Sequence, residues 1–173
     1  PALKAFLDAE PALVSALLFL FGGMGLAGAL FTARFMDRVG PIRVVHASLA
    51  VVGLGMLLWP LGNGSLAFAA SAMAIWGFGS FATNNAQQAR LIAASSPLAP
   101  VTIALNSSGM YLGQAIGIPV GAMLLSVPPA AEDYAMLPLY GLPILAIAYA
   151  VSLRARQLGM RRAALRQASR ESP

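Results

Sequence analysis

Long apolar stretches separated by short charged clusters dominate this chain. Four stretches lack any charged residue. They are 23, 46, 41 and 20 residues long and occupy 11–33, 44–89, 91–131 and 134–153. A helix needs about 20 apolar residues to cross a lipid bilayer. The first and last stretches therefore predict one membrane-spanning helix each, whereas the two longer stretches must be divided.

Turn-forming residues divide the two longer stretches. The first contains the segment PLGNGS at 60–65, and proline, glycine and asparagine together favour a turn. The second contains a serine pair and two prolines before residue 101, and two more prolines follow at 128 and 129. Proline ends a helix because it lacks a backbone N–H. The predicted fold is an all-α, polytopic membrane bundle whose five spans are 11–33, 44–60, 65–89, 101–127 and 134–153.

The composition supports a membrane protein and excludes several other classes. Hydrophobic residues make up 58% of the chain and charged residues 10%, whereas a soluble domain carries about 25% charged residues. This excludes a soluble enzyme, a nucleic-acid-binding domain and a disordered tail. The chain has no cysteine, so it has neither a disulfide nor a thiolate metal site.

The charged clusters agree on one topology. Five spans place the termini on opposite faces, and the tail holds six of the ten arginines. By the positive-inside rule the tail is cytoplasmic. The predicted cytoplasmic segments are 34–43, 90–100 and 154–173, and the outer ones are 1–10, 60–65 and 128–133. All ten arginines then lie inside, and the net charge of +5 is a topogenic and lipid-surface signal that needs no nucleic-acid partner.

Two end segments leave open points. The chain begins with Pro1 rather than methionine, in an outer segment without the features of a signal peptide. We therefore expect upstream sequence to be missing. In the tail, arginines alternate with Leu158, Met160 and Leu165, so both a short amphipathic helix on the lipid surface and a solvated segment are compatible with the pattern.

Glycines in two spans predict close helix packing. Glycine costs helix propensity, but in a membrane it lets another helix approach closely. In the fourth span the glycines recur every four residues, which we interpret as a packing ridge within one protein rather than as a dimer interface. The predicted packing glycines are Gly22, Gly25 and Gly28 in the first span, and Gly109, Gly113, Gly117 and Gly121 in the fourth.

Polar residues form one face on the third span and one on the fourth. Polar groups are costly in hydrocarbon, so they line a cavity or bond between helices; both interpretations stay open. The candidate cavity residues are Trp76, Ser80, Thr83, Gln87, Tyr111 and Gln114. His46 is a lone imidazole near a membrane boundary, without a partner at metal-ligand spacing, and we expect it to be a simple interfacial residue.

The segment ARFMDRVG, which joins the first two spans, resembles the signature loop of the major facilitator superfamily. Asp37, Arg38 and Gly40 match the motif. Ala33 replaces the usual leading glycine, and Pro41 stands where a basic residue is common. These departures suit the degenerate copy that the family carries between its eighth and ninth helices, because its two six-helix halves are repeats.

Two further segments extend the resemblance over nearly the whole chain. The residues QARL at 88–91, and LNSSGMYLGQAIG at 105–117, look like the tenth and eleventh helices of the bacterial drug–proton antiporter group, which includes exporters of sugars, nucleosides and drugs. The resemblance implies that the five spans are helices eight to twelve of a twelve-helix fold in the bacterial inner membrane. The N-terminal half of the same protein would then be missing.

The resemblance also implies a function. Two halves would rock around a central site to move a small solute, with a proton as the coupling ion and no cofactor. Asp37, Arg38 and Gly40 would form a cytoplasmic latch with Arg90. Because no acidic residue lies inside a span, the titrating carboxylate would belong to the missing half.

Two other functions compete with transport. The chain could be a small five-helix membrane subunit with a structural or assembly role. It could also be an intramembrane enzyme, but it has no GxSxG or HExxH motif and no acidic pair within a span. We therefore expect no catalytic residue and no enzyme.

Overall fold

The computed structural model describes residues 11–62, 65–94, 96–126 and 135–171, and it places almost all of them in helices. The five long helices are α1 (Pro11–Val39), α2 (Pro41–Leu58), α3 (Leu66–Ala94), α4 (Ala99–Ser126) and α5 (Leu142–Glu171). Short 3-10 turns occupy Trp59–Gly62, Ser96–Leu98 and Leu137–Gly141. All five helices are long and apolar enough to cross a membrane, which confirms the predicted all-α bundle.

The connections are shorter than the sequence suggested. The expected loop at 34–43 is helical except at Gly40. Gly40 has φ 83° and ψ 148°, a backbone conformation that residues other than glycine rarely adopt. Pro41 then begins α2, a position where its missing N–H costs nothing. A single glycine therefore makes the turn that was predicted to take ten residues.

The C-terminal segment continues the last helix. Helix α5 is 30 residues long and runs to Glu171, so the described part of the tail is helical; whether it lies on the lipid surface or in solvent stays a prediction. The predicted outer segments at 1–10 and 128–133, including the charges of Glu132 and Asp133, lie outside the described residues.

Helix α3 lies at the centre of the described bundle, between α1 and α2. Its buried residues are almost all alanine or glycine: Ala69, Ala72, Met73, Gly77, Gly79, Ala82 and Ala86. In lipid, helices gain little from burying apolar surface, and association depends on close van der Waals packing between small residues. Small residues on two sides of α3 let it contact both neighbours at short range.

A buried apolar cluster lies at one end of the bundle, where α2 ends and α3 begins. It consists of Leu17, Trp59, Ala69, Ala72, Met73 and Ala135. Gly62 packs against the same region, since a Cβ there would lie 2.9 Å from the Cα of Ala69. The 3-10 turn at Trp59–Gly62 therefore fixes how α2 and α3 meet.

Helix α4 is the most peripheral of the five. None of its residues is buried, and large apolar side chains such as Leu105, Ile118 and Met123 are exposed. This helix also contains Pro119, which cannot donate a backbone hydrogen bond to Ala115. The core of a bilayer contains no water, so lipid or other helices must cover this surface there.

Candidate functional site

An apolar cavity of about 470 Å³ lies at the end of the bundle where α2 ends. Helices α2, α3 and α4 line it together with the turn at Leu137–Gly141 and the start of α5. Trp59 and Trp76 form its aromatic wall. A concave, mainly apolar space with aromatic sides is typical of small-molecule sites.

Two glycines of α4 keep this cavity open. Gly117 and Gly121 line it, and a Cβ at either position would meet no atom within 4 Å. Larger residues here would project into the space. On the opposite wall Trp76 is held by its neighbours: its ring packs edge-to-face against Phe21, with centroids 5.9 Å apart, and its Cβ would lie 2.9 Å from a Cβ added at Gly55.

Trp76 is the one predicted cavity residue that lines this space. Ser80, Thr83 and Gln87 are half-buried farther along α3. The Thr83 hydroxyl donates to the Gly79 carbonyl at 2.8 Å, so it is satisfied within its own helix.

The two predicted polar residues of α4 lie on the surface of the described bundle. Gln114 is exposed, and Tyr111 is 65% exposed. Within the described residues the six side chains do not share one pocket, and a common polar site stays a prediction. For Asn85 the structure shows the alternative arrangement, because its side-chain amide donates to the Ala29 carbonyl of α1 at 3.4 Å.

A polar cluster of the buried His46 and Ser152 and the half-buried Arg90 joins α2, α3 and α5 at the other end of the bundle. Arg90 Nη1 donates to Ser152 Oγ at 2.6 Å, and Nη2 donates to the Ser152 carbonyl at 3.4 Å. His46 Nε2 lies 3.1 Å from the same hydroxyl. Since Ser152 Oγ already accepts from Arg90, its own hydrogen is available for a neutral His46 Nε2. The Tyr149 ring covers the imidazole, with centroids 5.1 Å apart.

Sequence patterns gave little indication of this cluster. His46 and Ser152 lie 106 positions apart, and each lies near one end of a predicted span that has few other polar residues. They are 9% and 8% exposed, so His46 is a buried, hydrogen-bonded residue rather than a simple interfacial one. One feature of the sequence could have indicated these contacts. A polar group inside a membrane span is energetically costly unless it has a hydrogen-bond partner, so His46 and Ser152 each required one.

The predicted latch residues do not meet as expected. The guanidinium of Arg90 bonds to Ser152 and not to Asp37, its expected partner. Asp37 is exposed and lies in the last turn of α1, whereas the sequence suggested a carboxylate in a loop before a helix. Arg38 shares that turn, where a positive charge is favourable beside the helix C-terminus. Within the described residues, no hydrogen bond or ion pair reaches the Asp37 carboxylate.

The predicted packing glycines divide into two groups. A Cβ at Gly28 would overlap the backbone carbonyl oxygen of Phe78, and one at Gly25 would lie 2.5 Å from the Phe81 ring. These two glycines therefore sit against α3. By contrast, nothing lies within 4 Å of a Cβ at Gly22 or at the four predicted ridge glycines of α4, so the partner of that ridge stays a prediction.

The α1–α3 contact has a second half that the sequence analysis did not identify. A Cβ at Gly77 of α3 would overlap the backbone carbonyl oxygen of Phe21 in α1. On the other side of α3, a Cβ at Gly79 would lie 2.8 Å from the backbone nitrogen of Val52. These glycines went unnoticed because they alternate with the polar and aromatic residues that defined the predicted cavity face.

No cluster of metal-ligating side chains is present among the residues that the structure describes. The apolar cavity and the Arg90–Ser152–His46 cluster are two features of the described residues with functional potential: the cavity suits a ligand of low polarity, and the cluster connects three helices.

The chain is similar to one curated membrane protein. Over 143 residues it is 28% identical to the inner membrane transport protein YdhP of Escherichia coli O157:H7. The aligned part covers 82% of this chain and 35% of that protein, so the chain spans about a third of its relative's length. No protein-family model matches the chain, and no solved structure matches it.

Proposed function

We propose that this chain is part of a transport protein of the inner membrane. The observation that carries the proposal is its similarity to a protein named as an inner membrane transport protein, over 82% of this chain. The five helices long and apolar enough to cross a membrane support it independently. The large exposed apolar surface of α4 agrees with a chain that works among further helices.

In more detail, we propose a secondary active transporter of the major facilitator superfamily, with these helices as the eighth to the twelfth. The segment that carries Asp37, Arg38 and Gly40 resembles the signature loop of that superfamily, and the segments 88–91 and 105–117 resemble its drug–proton antiporter group. The transported solute is then a drug, a sugar or a nucleoside, moved outward by alternating access with a proton as the coupling ion.

The packing of the helices supports a division of the bundle into a rigid unit, formed by α1 and α3, and a helix that can move, α4. Gly28 faces a carbonyl of α3 and Gly77 faces a carbonyl of α1, so these helices interlock and move as one body. Helix α4 has no buried residue and contains Pro119 between Gly117 and Gly121. A helix with a missing backbone hydrogen bond bends at low cost, so we assign the rearrangement during transport to α4.

The cavity favours an amphiphilic solute over a strongly polar one. Trp59, Trp76 and Tyr140 line it, and aromatic rings suit flat apolar groups and organic cations. Among the described residues, no carboxylate lines the cavity. A charge that pairs with a cationic drug, or that exchanges a proton, would therefore come from the N-terminal half.

A transport assay tests this proposal. The complete reading frame that contains this chain would be expressed in a host without its major exporters. Efflux of ethidium, radiolabelled arabinose and radiolabelled uridine would be measured with and without a protonophore. We expect outward movement of at least one of the three that stops when the proton gradient is removed.

A matched pair of variants connects transport with the cavity. Trp76→Ala should reduce efflux because it removes the aromatic wall, and Trp76→Phe should preserve more activity because it keeps an aromatic ring. The purified protein would be reconstituted in liposomes for the same measurement. If it moves none of the three solutes but isolates as a fixed complex with another membrane protein, the proposal fails and an assembly subunit takes its place.

A further inference from the structure

A second pocket, of about 260 Å³, lies where α1 turns into α2, at the opposite end of α2 from the apolar cavity. Val39, Ile42 and Met160 contribute an apolar wall, and Arg43 and Arg156 are the two charged residues that line it. The pocket therefore combines an apolar surface with two positive charges. The α1–α2 turn at 39–43 builds it together with α5, which is far from that turn in sequence.

The two guanidinium groups lack a counter-charge inside the chain. Among the described residues, neither Arg43 nor Arg156 forms a hydrogen bond or an ion pair, and no acidic side chain lines the pocket. Asp37 lies nearby in sequence but is exposed in the last turn of α1. Two like charges that converge on one pocket repel each other, and an anion bound between them would offset that cost.

The position of the pocket indicates where the anion would come from. Arg43 directly precedes the uncharged stretch that contains most of α2, and Arg156 follows shortly after the uncharged stretch of α5 that ends at Leu153. The pocket therefore lies at the boundary between hydrocarbon and water, which is where lipid phosphates are found. Arginine matches the geometry of phosphate oxygens with paired N–H donors.

We infer that this pocket binds the phosphate headgroup of an anionic phospholipid, with Arg43 and Arg156 on the phosphate. The lipid's glycerol and upper acyl carbons lie against Val39, Ile42 and Met160. Basic pockets between membrane helices are suited to acidic headgroups. A lipid held here bridges α2 and α5, and this role does not depend on which solute the protein transports.

The test is a lipid titration of the complete protein, purified in detergent and followed by native mass spectrometry. Binding of phosphatidylglycerol would be compared with binding of phosphatidylcholine, which has no net charge. Inorganic phosphate would serve as a second competitor, because it offers the phosphate group without the rest of the lipid. A basic residue near an anionic lipid contributes a factor of about five in affinity. Losing both charges in an Arg43→Gln, Arg156→Gln double variant should therefore weaken phosphatidylglycerol binding about thirtyfold.

Two further variants make the result specific. Arg34→Gln with Arg154→Gln removes the same charge from exposed residues that do not line the pocket; Arg154 lies two positions before Arg156 and so points to the other side of α5. We expect this control to keep nearly full affinity. Arg43→Lys with Arg156→Lys keeps the charge and should retain most of the binding if the variants fold alike.

Three results would overturn the inference. The first is equal affinity of the unchanged protein for phosphatidylglycerol and phosphatidylcholine. The second is an equal loss in the control and pocket variants, which would indicate general attraction by a basic surface. The third is displacement of the lipid by millimolar inorganic phosphate, which would assign the pocket to a soluble anion.

Discussion

The interlocking glycines between α1 and α3 give the sharpest prediction. Gly28 of α1 faces the carbonyl oxygen of Phe78, and Gly77 of α3 faces that of Phe21. A methyl group at either position would overlap a backbone atom, which cannot turn aside as the end of a side chain can. Gly28→Ala and Gly77→Ala should therefore force the two helices apart.

The magnitude follows from two opposing terms. Adding a methyl group to a well-packed interface costs about 1–3 kcal/mol. Replacing glycine by alanine in a helix returns about 0.8–1 kcal/mol of propensity. The difference of the two terms is roughly 0–2 kcal/mol. Because the overlapped atoms belong to the backbone, we expect each variant to lose stability in the upper half of that range, about 1–2 kcal/mol.

The two substitutions should also be coupled. Gly77 and Phe78 are adjacent, so both methyl groups act on the same contact. Once the first has separated the helices, the second has less to displace. The double variant should therefore lose less stability than the sum of the single losses, as expected for residues that share a contact.

The measurement is equilibrium unfolding of the complete purified protein in detergent by titration with dodecyl sulfate. Gly22→Ala is the matched control: it is the same substitution in the same helix, but nothing lies within 4 Å of the added Cβ. This control should keep or slightly raise stability. If Gly28→Ala is as stable as Gly22→Ala, the close approach of α1 and α3 is wrong.

Three other substitutions test the remaining features. Ser152→Ala removes the hydroxyl that accepts from Arg90 Nη1 and leaves only the longer bond from Nη2 to the Ser152 carbonyl. It should lower the free energy of unfolding by about 1–3 kcal/mol, whereas an unchanged unfolding midpoint would argue against the cluster. Gly117→Leu places a large side chain in the apolar cavity, and stability should be kept because leucine favours a helix. The variant should slow transport about tenfold. Unaltered transport would place the substrate elsewhere. Asp37 has no partner among the described residues, so a latch at this position needs a basic group from the proposed N-terminal half. Asp37→Asn should then weaken the inside-closed state, so that cysteine probes in the cavity react faster, and equal labelling rates would refute the latch.

The sequence alone was sufficient for the number and type of the helices. Membrane spans are set by a local property, about 20 apolar residues in a row, and backbone groups in lipid must be satisfied within the helix. The five spans were therefore predictable without any tertiary information. The connection at 34–43 was predicted as a loop, and the helical state of all its residues except Gly40 was not predicted, because the lengths of connections depend on how the helices meet.

Single helices also showed where close contacts were possible, but not which contacts form. The glycines at 25 and 28 and those of α4 look alike in sequence, yet only the first group lies against another helix among the described residues. Polar faces were equally ambiguous. Trp76 lines the apolar cavity, while the Thr83 hydroxyl bonds to its own helix.

Only the tertiary structure assembled features from distant positions. His46, Arg90 and Ser152 come from three helices, and Arg43 and Arg156 come from two. No local pattern links such residues, because their proximity depends on how far one helix is rotated and shifted against another. The sequence determined which segments enter the membrane, and helix packing decided which side chains meet there, since small residues set the distance between helices and polar groups in lipid require partners.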